Sequence, residues 1–173
     1  MQELRLSQFQ ASLKILISFF LIIVAIGYIF GLINIFNNTG LSYTGIVTHY
    51  RGGEELSVPP EFAFSKLIQE HHVHIFALSM LFLMVGVIFT FTSLPEWAKV
   101  VFVAAPFVGM ILDMTSFWLL VFVAAPFAAL AMGVGGFMAI SFFLLLGRPL
   151  YEMWVLPVLM RKRKYEDLPW FLR

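Results

Sequence analysis

The chain alternates long apolar stretches with short polar ones, and this pattern predicts four membrane-spanning helices. A helix needs about 20 mostly apolar residues to cross the hydrocarbon core of a bilayer. Three stretches are long enough: Ile15 to Phe36, Val73 to Phe91, and a block from Val100 to Leu146 whose one charged residue is Asp113. The last block accommodates two helices, joined by a tight reversal near Trp118 to Val123.

The predicted segments alternate between the membrane and its two surfaces. Pro59 and Pro60 are followed by a mixed sequence that can continue as helix, so we expect the second helix to begin near Pro60, outside the membrane. Pro149 and Pro157, interleaved with aromatic residues, argue against a fifth span. In chain order we predict a cytoplasmic N-terminus (1–14), a first span (15–36), an outer loop and helix entry (37–72), a second span (73–92), a cytoplasmic turn (93–99), a third span (100–119), an outer turn (120–123), a fourth span (124–146) and a basic interfacial tail (147–173).

The positive residues lie asymmetrically around these spans. Of the eleven lysines and arginines, only Arg51 and Lys66 fall on the side of the long loop. Because lysine and arginine collect on the cytoplasmic side, we expect both termini in the cytoplasm and the loop outside. The predicted fold is an all-α, polytopic four-transmembrane-helix bundle, placed as a multi-pass protein in the bacterial inner membrane.

The composition agrees with this class and excludes several others. Apolar and aromatic residues make up 61% of the chain and charged residues 12%, and the mean hydropathy is +0.92. These values exclude a soluble enzyme, a disordered chain and a coiled coil. The absence of cysteine excludes disulfides, thiolate metal sites, iron–sulfur clusters and covalently attached haem on this chain. No phosphate-binding loop, dinucleotide fingerprint or nucleophile elbow is present, and nothing in the sequence points to nucleic acid.

Small and polar residues indicate which helix faces meet other helices. In lipid, helices associate through small residues and polar pairs. The first span has Gly27 and Gly31, with Asn34 on the same face, and the fourth span has two faces of this kind. In the second span a stripe headed by His72 continues through Phe76 and Leu83, so we expect this stripe to face the bundle.

All four histidines lie on the predicted outer side. His49 is in the loop, and His71, His72 and His74 follow Glu70 at the start of the second span. Successive helical residues are about 100° apart. We therefore expect His72 to point into the bundle and His74 to face lipid or a partner subunit.

Asp113 is the second candidate for chemistry. A carboxylate inside a span costs a few kcal/mol on insertion scales, so it usually faces the interior and finds a partner. Its predicted depth, in the outer half of the third span, is close to that of His72 and His74. His49 and Arg51 could reach the same pocket from the loop.

Three ligands suit these residue types. Haem b needs two axial ligands, drawn from His49, His72 and His74 or from a methionine such as Met114. Copper or a similar metal suits the oxygen and imidazole groups of His71, His72 and Asp113, while quinol chemistry needs a His–Asp pair that takes up protons. A purely structural role competes with all three: interfacial histidines, and an Asp113 that only links helices.

Short motifs in residues 39–120 resemble a little-characterised group of small bacterial inner-membrane proteins. The motifs are Thr39-Gly40-Leu41, His49-Tyr50-Arg51-Gly52, His72-Val73-His74-Ile75-Phe76 and Asp113 followed by Phe117-Trp118-Leu119. The group has four helices, a His-Tyr-Arg-Gly loop and a His-x-His helix mouth. The resemblance implies a link to respiratory or cytochrome-containing systems and a role for His49, Arg51, His72, His74 and Asp113.

The sequence therefore favours an accessory membrane subunit, without catalytic activity of its own, in a larger respiratory or redox complex. It would contact lipid, other subunits and a quinone or cytochrome, with haem b or copper as the candidate cofactors. The first alternative is a self-sufficient haem b or quinone-reactive electron carrier. The second is a small transport or proton-conducting protein that uses Asp113.

Overall fold

The structure is a computed structural model that describes residues 5–162, and every regular element in this range is a helix. Four of the helices are long and apolar enough to cross a membrane, which confirms the predicted fold class. The helices are α1 (Ala11–Thr39), α2 (Tyr43–Arg51), α3 (Pro60–Thr90), α4 (Glu96–Phe122), α5 (Phe127–Leu150) and α6 (Leu156–Lys162).

Local sequence determines where these helices begin and end. Gly40 and Gly52 follow α1 and α2 with φ angles of 61° and 79°, in the left-handed region that glycine adopts without a Cβ penalty. The Ser42 side chain caps α2 by accepting a hydrogen bond from the Gly45 backbone N–H at 3.1 Å. Pro60 is the first residue of α3, as predicted, because a proline at this position sacrifices no helical hydrogen bond.

Every spanning helix is longer than the apolar stretch that predicted it. The apolar pattern marks only the part of each helix that lies in the hydrocarbon core, whereas the helix itself continues to the residues that cap it. The reversal between the last two spans also lies later than predicted. α4 continues through Trp118 to Phe122, and the chain turns only at residues 123–126.

The segment after Gly147 differs from the predicted interfacial tail. α5 passes into a π-helical turn, Tyr151–Val155, and then into α6, so the apolar helix continues to Leu159. Pro149 has no backbone N–H, and the hydrogen-bond ladder widens directly after it. The predicted basic residues Arg163, Lys164 and Arg173 lie outside the described residues.

A buried carboxylate, that of Glu152, lies at the end of the bundle where α5 passes into the π-helical turn. Glu152 is 1% exposed and accepts hydrogen bonds from the Ser93 backbone N–H at 2.8 Å and from Arg148 Nε at 2.7 Å. Ser93 lies between α3 and α4, so the contact ties that connection to the segment after α5. Sequence analysis missed this cluster, although the four-residue spacing of Arg148 and Glu152 is a known signal for an ion pair on a helix.

The main core lies between α3, α4 and α5, and α1 packs against it along one side. Phe82, Val85 and Phe89 of α3 are almost completely buried there, and the ring of Tyr28 of α1 packs at a tilt against that of Phe142 of α5, with centroids 4.6 Å apart. The stripe predicted to face inward on α3 is wrong, because Phe76 and Leu83 are 65% and 54% exposed. Large apolar side chains form most of the buried face of this helix between Phe82 and Phe89, and Gly86 is the small residue buried among them.

Candidate functional site

Helix α2 folds back over the end of the bundle where α3 begins and α4 meets α5. We call this the α2 end. Ile46 and Val47 of α2 are 6% and 2% exposed and pack against Leu120, Ala125 and Ala128. The predicted loop is therefore partly a helix that is docked on the α4–α5 turn.

Arg51 connects α2 to the C-terminus of α4 through hydrogen bonds. Its guanidinium Nη1 donates to the backbone carbonyls of Leu120 at 2.6 Å and Val121 at 2.9 Å, and its Nη2 donates to the carbonyl of Glu54 at 3.2 Å. The residue is 8% exposed. The last carbonyls of a helix have no partner within it and carry partial negative charge, so a buried cation stabilises them. Arg51 is thus a helix cap and does not reach Asp113.

His49, Tyr50, Lys66 and Glu70 form a polar cluster between α2 and the start of α3. Lys66 Nζ lies 2.9 Å from His49 Nε2 and 4.7 Å from the centre of the Tyr50 ring. The Glu70 carboxylate is close enough to act on the charges of both His49 and Tyr50. Because an ammonium group has only donors, His49 Nε2 must be the acceptor, which leaves the proton of the neutral imidazole on Nδ1.

This environment shifts the pKa values of His49 and Tyr50, the two α2 residues of the cluster. Burial and then the Lys66 charge lower the pKa of His49, and the negative charge of Glu70 acts in the opposite direction. Burial, and then the negative charges of Glu70 and Asp113, raise the pKa of Tyr50. Tyr50 therefore stays a neutral phenol at physiological pH, and His49 favours its neutral form.

His71 is the histidine of α3 that turns toward the other helices. Trp118 Nε1 donates to His71 Nδ1 at 2.8 Å. Ala63 and Leu67 precede His71 at four-residue intervals and are both buried, which shows that this is the inward face at this level. Since indole N–H is only a donor, the His71 lone pair on Nδ1 is occupied.

The prediction that His72 points into the bundle is wrong, because His72 is exposed and contacts the ring of Phe76 at 5.3 Å between centroids. The error follows from the misassigned stripe on α3. His74 is exposed, as predicted. Its Nδ1 lies 2.6 Å from the Glu70 carbonyl, so Nδ1 donates and Nε2 keeps its lone pair.

Asp113 lies on α4, one turn before Phe117, and is half-buried. Tyr28, Tyr50 and His74 are within electrostatic range of its carboxylate, and Gly135 of α5 is adjacent to it. Within the described residues its carboxylate accepts no hydrogen bond, although the Asp113 backbone carbonyl accepts one from Ser116 Oγ at 2.6 Å.

The predicted metal ligands are not grouped in the part of the chain that the structure describes. Among residues 5–162, no three histidine or acidic side chains are close enough to hold a metal ion, and this includes His71, His72 and Asp113. His49 and His71 use their lone pairs to accept hydrogen bonds from Lys66 and Trp118. Met114, the other candidate haem ligand, packs against the main core. The group at the α2 end is a hydrogen-bonded cluster.

Sequence analysis missed Lys66 and Tyr50 as members of this cluster, and it missed Trp118 as the partner of His71. Lys66 entered only the count of positive charges, and Trp118 only the predicted reversal and the resemblance motif. A signal was present: Lys66 and Glu70 are four residues apart, so both lie on one face of α3. Their contact with α2 required the fold of the loop, which the sequence pattern does not specify.

Comparison with known proteins agrees with the membrane class. A family model described as a transmembrane helical domain, Aq_1264_TM, matches residues 40–164. The match begins at the end of α1 and covers α2 to α6. No curated protein and no solved structure matches the chain. Because the family model covers well over half of the sequence, the chain belongs to the Aq_1264_TM family of transmembrane helical domains.

Proposed function

We propose that this protein is an accessory membrane subunit that binds another membrane protein through α1. The observation that carries the proposal is an uncovered stripe of glycine and asparagine on this helix. Gly27, Gly31, Asn34 and Asn38 follow one another at intervals of four, three and four residues, which places them on one face. All four are exposed.

The stripe has the properties of a helix–helix contact surface. A Cβ atom at Gly27 or Gly31 would meet no other heavy atom within 4 Å, so a second helix can approach the α1 backbone there. Asn38 Nδ2 donates to the backbone carbonyl of Asn34 at 3.0 Å and lies 3.3 Å from its side-chain oxygen. Asn34 lies within the predicted span, where its remaining amide groups have no water to bind, and small residues with amides are the groups that hold membrane helices together.

The packing of α1 leaves this stripe accessible. Tyr28 faces α5, and the neighbouring residue Gly27 is about 100° away from it around the helix. The stripe therefore flanks the face that binds the bundle. A partner helix would extend the bundle at that side without displacing any contact that the described residues make.

The proton-conducting alternative has no comparable support. Below Asp113, the bundle is filled by Phe82, Phe89, Phe142 and Leu145, each at most 1% exposed. A proton path needs a chain of polar groups or water. This apolar layer separates Asp113 from Glu152 at the opposite end, which favours a structural subunit over a conducting one.

A more specific prediction is that the partner complex is respiratory or carries out redox chemistry. It rests on the resemblance of the loop and helix-mouth motifs and on the half-buried Asp113. A quinone or cytochrome partner belongs to the same prediction. Haem b and copper are less favoured, because two of the four histidines already use the lone pair that a metal would need.

Native gel electrophoresis of membranes dissolved in a mild detergent tests the proposal. We expect a particle larger than the monomer, and we expect the double variant Gly31→Leu/Asn34→Leu to convert it to the monomer. Ile29→Leu is the matched control, because Ile29 is 45% exposed on the side of α1 opposite the stripe and should leave the particle intact. A monomer in the wild type, or a particle that survives the double variant, would overturn the proposal.

A further inference from the structure

The contact between His49 and Lys66 is the one place in the described structure where a neutral histidine accepts a hydrogen bond from a lysine side chain. The two atoms are 2.9 Å apart, and the contact joins α2 to the part of α3 that precedes the membrane span. It needs an imidazole without a proton on Nε2. Protonation would replace this hydrogen bond with two positive charges at the same distance.

We propose that the His49–Lys66 contact is a proton-operated latch, closed when His49 is neutral and opened when His49 is protonated. Opening separates the start of α3 from α2. The proposal is independent of the α1 interface, because none of the latch residues lies on α1.

The groups around His49 determine which way the latch responds. Lys66 and Glu70 face His49 from α3, and the Tyr50 ring lies beside it on α2 at 4.9 Å between centroids. Asp113 on α4 acts on Tyr50. Burial and Lys66 lower the pKa of His49, so the latch opens below the ordinary histidine range of about pH 6.5. Glu70 opposes this shift and stabilises the protonated ring.

The two sides of the latch are held with different strengths. α2 keeps its apolar contact through Ile46 and Val47 and its Arg51 cap on α4, and protonation of His49 changes neither. The start of α3 has Ala63 and Leu67 buried, but Phe62 and Phe64 are 62% and 52% exposed. The part of α3 before His71 is therefore the element that moves, and α2 stays on the α4–α5 turn.

Distance measurement between two spin labels tests the latch in the full chain, which contains no native cysteine. Thr48→Cys on α2 and Ser65→Cys on α3 are exposed positions on either side of the contact. In lipid nanodiscs we expect one short distance at about pH 7.5 and a longer one that becomes the major population near pH 5. A control pair, Thr48→Cys with Val123→Cys, should not change, because α2 stays docked there.

Variants at the latch separate this mechanism from general acid unfolding. His49→Gln keeps an acceptor for Lys66 without titrating, and Lys66→Met removes the second charge, so both should hold the short distance near pH 5. Glu70→Gln should still open, but at lower pH, because Glu70 favours the protonated histidine. An unchanged distance in the wild type, or equal opening in His49→Gln, would overturn the proposal, as would movement of the control pair.

Discussion

Arg51 should be the residue at the α2 end whose loss costs the most stability. Its guanidinium donates to the carbonyls of Leu120 and Val121, and the residue is 8% exposed. A hydrogen bond from a charged donor contributes roughly 1.5–3 kcal/mol. Two such bonds give about 3–6 kcal/mol. In the wild type the buried Nε of Arg51 has no hydrogen-bond partner, and this costs free energy that Arg51→Met removes. We therefore expect the free energy of unfolding to fall by about 3 kcal/mol, at the lower end of that range.

Reversible unfolding in mixed detergent micelles, followed by far-ultraviolet circular dichroism, measures this free energy of unfolding. Arg51→Lys keeps the charge but has one terminal nitrogen in place of two, so it cannot bind the α4 carbonyls and the Glu54 carbonyl together, and we expect about half the loss, ~1.5 kcal/mol. Thr48→Ala is the control, because Thr48 is exposed on the same helix and its change should stay within about 0.5 kcal/mol. A free energy for Arg51→Met within 0.5 kcal/mol of the wild type, on the order of the control, would refute the capping role.

Two other perturbations are checked in the same unfolding assay. Glu152→Gln should lower the free energy of unfolding by about 2 kcal/mol, because it removes the charge that Arg148 and the Ser93 backbone bind in a buried site. Glu96→Gln should change it by less than about 0.5 kcal/mol, because the Glu96 side chain is 79% exposed and its carboxylate lies 3.6 Å from Lys99. Gly45→Ala should lower it by more than about 2 kcal/mol, because the new Cβ would collide with the Thr39 backbone oxygen, whereas Gly133→Ala, with nothing within 4 Å, should be neutral or slightly stabilising. Equal effects within either pair would contradict the contacts described.

The four spans were predictable because backbone N–H and C=O groups in lipid must hydrogen-bond to each other, and a long apolar stretch achieves this by forming a helix. The start of α3 at Pro60 and the glycine after α1 also follow from local chemistry. The inward face of α3 was not predictable from its small residues. Phe82, Val85 and Phe89 occupy that face because α4 and α5 leave room there for large side chains. The sequence of α3 alone does not show which helices pack against it.

The site was predictable in its location but not in its contacts. The histidines, Arg51 and Asp113 do collect at one end of the bundle, as the topology required. Their pairing depends on α2, whose docking on the α4–α5 turn places His49 beside Lys66 and Arg51 on the end of α4. Contacts between residues so distant in sequence cannot be read from spacing within a single helix.

Site-specific photo-crosslinking in native membranes tests the proposed subunit role most directly. A photoreactive phenylalanine analogue at Asn34 lies within the uncovered stripe of α1, and the same analogue at Ile29 lies on the opposite, exposed side. We expect irradiation to join the chain to a second membrane protein through position 34 and to lipid alone through position 29. Lipid adducts alone at both positions would contradict the proposal that α1 binds a protein partner.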